Sequence, residues 1–94
     1  MRLLMKIAIP TVAENAVVSD PKFNDELRAL FLKLGAEATY SNTLDGRRFD
    51  YVLVDLDDVT QITAVAEPVF QFLKVKPEFL PEVAPKPYYG RVGY

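Results

Sequence analysis

A lysine stands in the middle of an apolar segment, "LLMKIAI", at residues 3–9. The neighbours of Lys6 are typical of a buried β-strand, so its ammonium group enters an apolar setting. There it could bind an anionic or carbonyl oxygen of a ligand, or burial could favour its neutral, basic form. It could also extend its amine to an opening or balance the charge of Asp55. The sequence leaves both interpretations open.

Four further polar residues are predicted to contribute to a ligand-binding site around Lys6, namely Tyr51, Asp55, Tyr40 and Glu67. Tyr51 and Asp55 belong to a strand that is expected to run beside Lys6. Tyr40 is also explained as a packed core or interface tyrosine, and Glu67 as a solvated position on a helix. None of these residue types or spacings identifies a catalytic role.

Three aspartates, Asp55, Asp57 and Asp58, form an acidic cluster at the end of the third predicted strand. Helix capping explains the last two, because carboxylates accept the free amides of a first helical turn and suit its dipole. A site for a hard cation needs more converging oxygen ligands than this spacing demonstrates. We therefore predict neither a metal site nor a cofactor.

The composition excludes several kinds of chemistry. The 94 residues include no cysteine and no histidine, which removes disulfides, thiolate nucleophiles, imidazole bases and nearly all zinc sites. A net charge of −2 without a lysine and arginine cluster is not typical of nucleic-acid binding. No segment approaches the roughly 20 apolar residues of a membrane span, and Lys6 and Pro10 leave too short a run for a signal peptide. We expect a cytoplasmic protein with no nucleic-acid or membrane partner.

Four strands are predicted from the hydrophobic pattern, at residues 2–9, about 36–42, about 48–56 and 75–83. The dipeptide Asp45-Gly46 predicts a tight hairpin between the second and the third strand, because both residues tolerate left-handed backbone. Pro77 and Pro81 suit a strand at the edge of a sheet.

Two helices are predicted, in "SDPKFNDELRALFLKLG" and "DDVTQITAVAEPVFQFL". Ser19 or Asp20 is expected to cap the first helix, and Gly35 to end it. Pro68 predicts a kink or break near Glu67 in the second helix. Each helix carries one apolar stripe: Phe23, Leu27, Leu30, Phe31 and Leu34 in the first, and Ile62, Val65, Ala66, Val69, Phe70 and Leu73 in the second.

The resulting order is βαββαβ, which predicts an α+β domain of the ferredoxin-like plan over residues 1–83. Its four-stranded antiparallel sheet has the expected strand order 4-1-3-2, with both helices on one face. Because strand residues alternate between faces, Lys6 is expected on the open side of the sheet with Leu4 and Ala8. Tyr51, Leu53 and Asp55 of the third strand are expected there too.

An open face of this kind would leave more apolar surface in water than soluble monomers usually expose. A second copy of the chain is therefore the expected partner, giving a homodimer in which Leu4, Ala8 and Leu53 are buried. Residues 84–94, "APKPYYGRVGY", form a C-terminal arm whose tyrosines are expected to dock on the other subunit.

The segments "MKIAIPT", "VDLDDVTQI" and "AEPVF", together with the "DG" hairpin, resemble a family of small uncharacterised bacterial proteins of the dimeric α/β-barrel superfamily. The resemblance covers residues 1 to about 83. It implies two ferredoxin-like subunits that pack sheet against sheet and enclose a cavity. The superfamily includes muconolactone isomerase, cofactor-free monooxygenases and stress-responsive barrel proteins, and no catalytic residue of its enzymes carries over. Its haem-degrading branch relies on a histidine ligand, which this chain lacks.

Two functions follow as expectations. The first is a homodimeric barrel that binds a compact apolar small molecule with one polar handle, with or without a cofactor-free reaction. The second is a structural or interaction module whose barrel interior is filled by side chains.

Overall fold

The computed structural model describes residues 1–81. The predicted arm at 84–94, and the last two residues of the predicted domain, lie outside the described residues. The chain forms an α+β fold of four strands and two α-helices: β1 Arg2–Ala8, α1 Phe23–Lys33, β2 Ala38–Leu44, β3 Arg47–Asp55, α2 Ile62–Leu73 and β4 Glu78–Pro81. Short 3-10 helices at Ala16–Ser19 and Val59–Gln61 precede α1 and α2. No helix within residues 1–81 is long and apolar enough to cross a membrane.

The four strands form one antiparallel sheet in the order β2-β3-β1-β4, which confirms the predicted order 4-1-3-2. In the central pair Lys6 lies opposite Tyr51, and in the outer pair it lies opposite Glu78. The element order and the strand order agree with the ferredoxin-like plan that the sequence predicts.

The hydrophobic core lies between one face of this sheet and the two helices. Successive side chains of β1 alternate between the two faces of the sheet. Met5 and Ile7 are completely buried on the core side, while Lys6 between them is only half-buried. The predicted division of strand faces is therefore confirmed. The core consists of Met5, Ile7, Ile9, Phe23, Leu27, Phe31, Val52, Val54, Leu56, Val65, Val69 and Leu73.

Helix α1 begins later than its predicted caps. Ser19 belongs to the preceding 3-10 helix, and the carboxylate of Asp20 accepts a hydrogen bond from the Lys22 amide at 2.8 Å, which closes a turn before the helix. Gly35 ends α1 as predicted, with a φ of 82°. Because Gly35 and Ala36 donate their amides to the last turn of α1, β2 starts at Ala38 rather than near residue 36.

Helix α2 continues through Pro68, so of the predicted kink or break near Glu67 the break is wrong. Val65, Val69 and Leu73 are buried on either side of the proline, and burial of each contributes about 1.5–3 kcal/mol. Together they exceed the roughly 3 kcal/mol that an interior proline costs a helix.

The predicted apolar stripe of α2 is also wrong at one position. Phe70 is 38% exposed, whereas Phe72 packs against the core and stacks on Phe23 with ring centroids 5.8 Å apart.

The hairpin between β2 and β3 has the predicted turn. Asp45 and Gly46 both have left-handed backbone, with φ of 53° and 75°, and the strands pair from Leu44 opposite Arg47 to Ala38 opposite Leu53. The turn therefore sets the register that brings Tyr40 opposite Tyr51.

Candidate functional site

The sheet face that turns away from the helices carries Lys6 and most of the other predicted site residues. We call this surface the open face. The strand register and the alternation of side chains give its members. They are Arg2, Leu4, Lys6 and Ala8 of β1, Ala38, Tyr40, Asn42 and Leu44 of β2, Arg47, Phe49, Tyr51, Leu53 and Asp55 of β3, and Glu78 and Leu80 of β4.

Lys6 occupies the centre of the open face. Its amine lies 4.9 Å from the centroid of the Phe49 ring, an arrangement in which the ring quadrupole attracts the cation. Lys6 forms no ion pair with any residue of the 1–81 region, although Glu78 is its cross-strand neighbour. The ammonium group can therefore donate hydrogen bonds to an anionic or carbonyl oxygen of a ligand.

The two predicted tyrosines lie together beside Lys6. Tyr51 is directly opposite Lys6 on β3, and Tyr40 is directly opposite Tyr51 on β2. The two rings stack with centroids 4.9 Å apart and planes inclined by 11°. Phe49 lies two residues from Tyr51 on the same face of β3, so three aromatic side chains share the part of the open face next to Lys6.

Asp55 lies on the open face but not beside Lys6. It is opposite Arg2, four residues along β3 from Tyr51, which corresponds to about 13 Å. Its carboxylate pairs with the N-terminal ammonium group of Met1 at 3.2 Å. Asp55 therefore has another cation as its partner.

Glu67 lies on α2, so the sheet separates it from Lys6. Its side chain is exposed and accepts a hydrogen bond from the side-chain amide Nε2 of Gln71, one turn later, at 3.2 Å. This is the geometry of a solvated helix position.

Asp58 acts as the cap that the sequence predicts, at the 3-10 helix before α2. Its carboxylate accepts hydrogen bonds from the hydroxyl and, at 2.8 Å, from the backbone amide of Thr60. These hydrogen bonds hold the pKa of Asp58 below its ordinary value of 3.8, because they stabilise the ionised form. Within residues 1–81 no group of three or more acidic side chains could hold a metal ion.

The structure also reveals a polar cluster that the sequence reasoning missed, on the helix side of the sheet. Asp50 is buried, with 4% of its surface exposed, and accepts two hydrogen bonds from Arg48 at 2.8 and 3.0 Å. Ser41 donates to the same carboxylate at 2.7 Å, and Arg48 also donates to Asn24 of α1 at 3.0 Å. The sequence contained a signal for this cluster. Arg48 and Asp50 lie four and two residues from buried Val52 in β3, so they share its face of the sheet.

This polar cluster lines a cavity of about 250 Å³ between α1 and β2. A second cavity of about 260 Å³ adjoins it towards Glu37. Both lie on the opposite side of the sheet from Lys6. Space between two open faces would exist only when two sheets come together, so these cavities belong to a different surface.

No family model, curated protein or solved structure matches the chain. The fold that is shown is thus the α+β domain with its open four-stranded antiparallel sheet. The site rests on the geometry around Lys6.

Proposed function

We propose that two copies of the chain pack open face against open face and that the enclosed space binds a compact apolar small molecule with a polar handle. The observation that carries this proposal is the position of the Lys6 amine, over an aromatic ring and without an ion pair in the described part of the chain. The dimeric α/β-barrel resemblance supports the same arrangement.

Burial of the open face by a second copy would remove a contiguous apolar surface from water. Leu4 and Leu80 lie side by side, as do Leu53 and Ala38, and Tyr40 remains 46% exposed in the single chain. Monomeric soluble proteins rarely keep apolar patches larger than a few hundred Å². Symmetric pairing of one face with itself is the commonest way in which homo-oligomers cover such a surface.

The ligand would place its apolar body on the aromatic surface of Phe49, Tyr51 and Tyr40, and its handle on Lys6. An anionic or carbonyl oxygen suits the handle, because a partly desolvated ammonium group gains most from a charge-assisted hydrogen bond. A cofactor-free reaction in this space would depend on Lys6, the tyrosine hydroxyls and the carboxylate of Glu78, which are groups near the lysine able to exchange a proton.

The dimer is tested by replacing Leu53 with glutamate and measuring molar mass by light scattering across a dilution series. Leu53→Glu places a charge in the centre of the proposed contact, so the mass should fall by half. Val59→Glu is the control, because Val59 is 64% exposed and lies outside the sheet. Equal masses for the wild type and Leu53→Glu would remove the basis for the enclosed site.

Ligand binding is tested with benzoate and with benzyl alcohol, which has a similar apolar body but no charge. Amide chemical shifts of Lys6, Phe49 and Tyr51 should respond to benzoate. Lys6→Met keeps the length and the apolar stem, so we expect it to weaken benzoate binding by roughly tenfold or more while benzyl alcohol binding changes little.

The same titration separates the alternative function, a module whose interior is filled by side chains. In that case neither compound shifts the open-face amides of the wild type, and Lys6→Met alters only the stability of the fold. The stacked tyrosine rings are the groups that would fill the space.

A further inference from the structure

Strand β2 forms one edge of the sheet and is exposed at all seven of its positions, Ala38–Leu44. Proteins usually protect such an edge with proline, lysine, a bulge or a very short strand. The other edge follows this rule, since the described part of β4, Glu78–Pro81, carries a charged residue and a proline. β2 contains neither proline nor a charged residue, and among residues 1–81 it has a neighbouring strand on one side alone.

The hydrogen-bonding direction of each β2 residue follows from the sheet. The amide of Ile9 donates to the carbonyl of Arg48, so Arg48 and every second residue of β3 direct their backbone groups at β1. The intervening residues of β3 face β2, and in the register they pair with Ala38, Tyr40, Asn42 and Leu44. The backbone groups of Thr39, Ser41 and Thr43 therefore point away from the sheet.

We infer that β2 pairs antiparallel with β2 of a second copy, and that the twofold axis passes midway between the two copies of Ser41. In this register Ser41 lies opposite Ser41 of the second copy, and Thr39 opposite Thr43. All three outward-pointing residues then meet outward-pointing residues. Each contributes one N–H and one C=O, which gives about six hydrogen bonds between the copies. Shifting the register by two residues leaves one of the three without a partner.

The side chains are compatible with this self-pairing. Thr39 and Thr43 form cross-strand threonine pairs, which are favourable in sheets, and no charged side chain of β2 faces another. Beyond each end of the strand Glu37 comes opposite Asp45, where Arg2 already neutralises Glu37 at 2.9 Å. A second copy of this chain is thus a better match than an arbitrary peptide.

This edge contact goes beyond the open-face dimer, because it uses the backbone edge of the sheet rather than its face. The two contacts use different surfaces, and with twofold axes that meet at right angles they would close a tetramer. Its mass would be about four times the 10.6 kDa of one chain. Failure of either contact leaves the other one intact.

The register is tested with single cysteines, which the chain otherwise lacks. Opposite residues of a hydrogen-bonded pair have Cα atoms about 5.5 Å apart, within reach of a disulfide. Ser41→Cys should therefore give a covalent dimer on mild oxidation. Thr39→Cys should not, because two copies of Thr39 lie more than about 13 Å apart. A mixture of Thr39→Cys and Thr43→Cys chains should cross-link again, which covers the case that Ser41→Cys fails to fold.

The hydrogen bonds are tested by Thr43→Pro, which removes an outward amide from each copy, against Thr43→Ala, which keeps it. Light scattering should show edge association weakened by roughly tenfold or more in Thr43→Pro and nearly unchanged in Thr43→Ala. Circular dichroism checks that both variants fold.

Three outcomes would overturn the inference. Cross-linking of Thr39→Cys with itself as readily as Ser41→Cys would mean random collision. Absence of any cross-link, with the edge covered by residues 82–94 or by a foreign peptide, would exclude self-pairing. An unchanged mass in Thr43→Pro would show that backbone hydrogen bonds of β2 hold no second copy.

Discussion

Tyr40 and Tyr51 lie directly opposite each other on β2 and β3, and their rings stack with centroids 4.9 Å apart. Tyr51 is also the cross-strand neighbour of Lys6. The stack thus connects the edge strand to the centre of the open face, and the hairpin turn at Asp45-Gly46 sets the register that allows it.

We expect Tyr40 and Tyr51 to stabilise each other in a double-mutant cycle. Aromatic pairs contribute about 0.5–1.5 kcal/mol beyond their burial, so the two alanine substitutions should destabilise the fold by less together than the sum of their separate effects. Urea unfolding measures this coupling. The matched cycle with Tyr40→Phe and Tyr51→Phe keeps both rings. Its coupling free energy should therefore be close to zero. A coupling near zero in the alanine cycle would show that the stack contributes no stability.

Replacement of Asp50 should destabilise the fold more than removal of the Ser41 hydroxyl, which donates to the same carboxylate. Asp50→Asn breaks the bidentate pair and leaves the Arg48 guanidinium without its anion, and we expect a loss of about 2–3 kcal/mol because Arg48 is still 37% exposed. Ser41→Ala, which removes one hydrogen bond to the same carboxylate, should cost about 1 kcal/mol. Equal free energies of unfolding for both variants would contradict the central role of the ion pair.

The strand order and the side of the sheet occupied by Lys6 could be predicted from the sequence, because both depend on local alternation and on the element order. The cluster around Asp50 could not be assembled in this way. The parity of β3 places Arg48 and Asp50 under the helices, but their contact with Asn24 depends on how α1 lies across the sheet. The helical period predicted that Phe70 is buried, but Phe72 packs against the core instead. The position of neighbouring core residues such as Phe23 determines this, and the helical period alone does not show it.

Helix α2 runs through Pro68 without a break because packing of its buried face outweighs the local cost of the proline, and this difference in free energy can be measured. Pro68→Ala restores an amide that can bond to the carbonyl of Ala64, so we expect the free energy of unfolding to rise by about 1–2 kcal/mol. Pro68→Gly restores the same amide with poorer helix propensity and should be about 1 kcal/mol less stable than Pro68→Ala. A destabilised Pro68→Ala would mean that the proline ring, half-buried in the structure, fills space that alanine cannot.

The cap at Asp58 should make part of the stability depend on pH. Its pKa in the folded chain is lowered because the hydroxyl and the amide of Thr60 donate to the ionised carboxylate. The stabilisation is therefore fully present above the unfolded value of 3.8 and is lost as the pH falls from there through the folded value.

Thermal unfolding from neutral pH down to about pH 2.5 tests this dependence. Asp58→Ala should have a lower Tm than the wild type at neutral pH, and the two Tm values should converge once the carboxylate is protonated in the folded state. Asp57→Ala is the control, because its carboxylate accepts no hydrogen bond within residues 1–81. A difference in Tm between the wild type and Asp58→Ala that stays constant over the whole acid range would show that the side chain stabilises this turn by packing rather than by its charge.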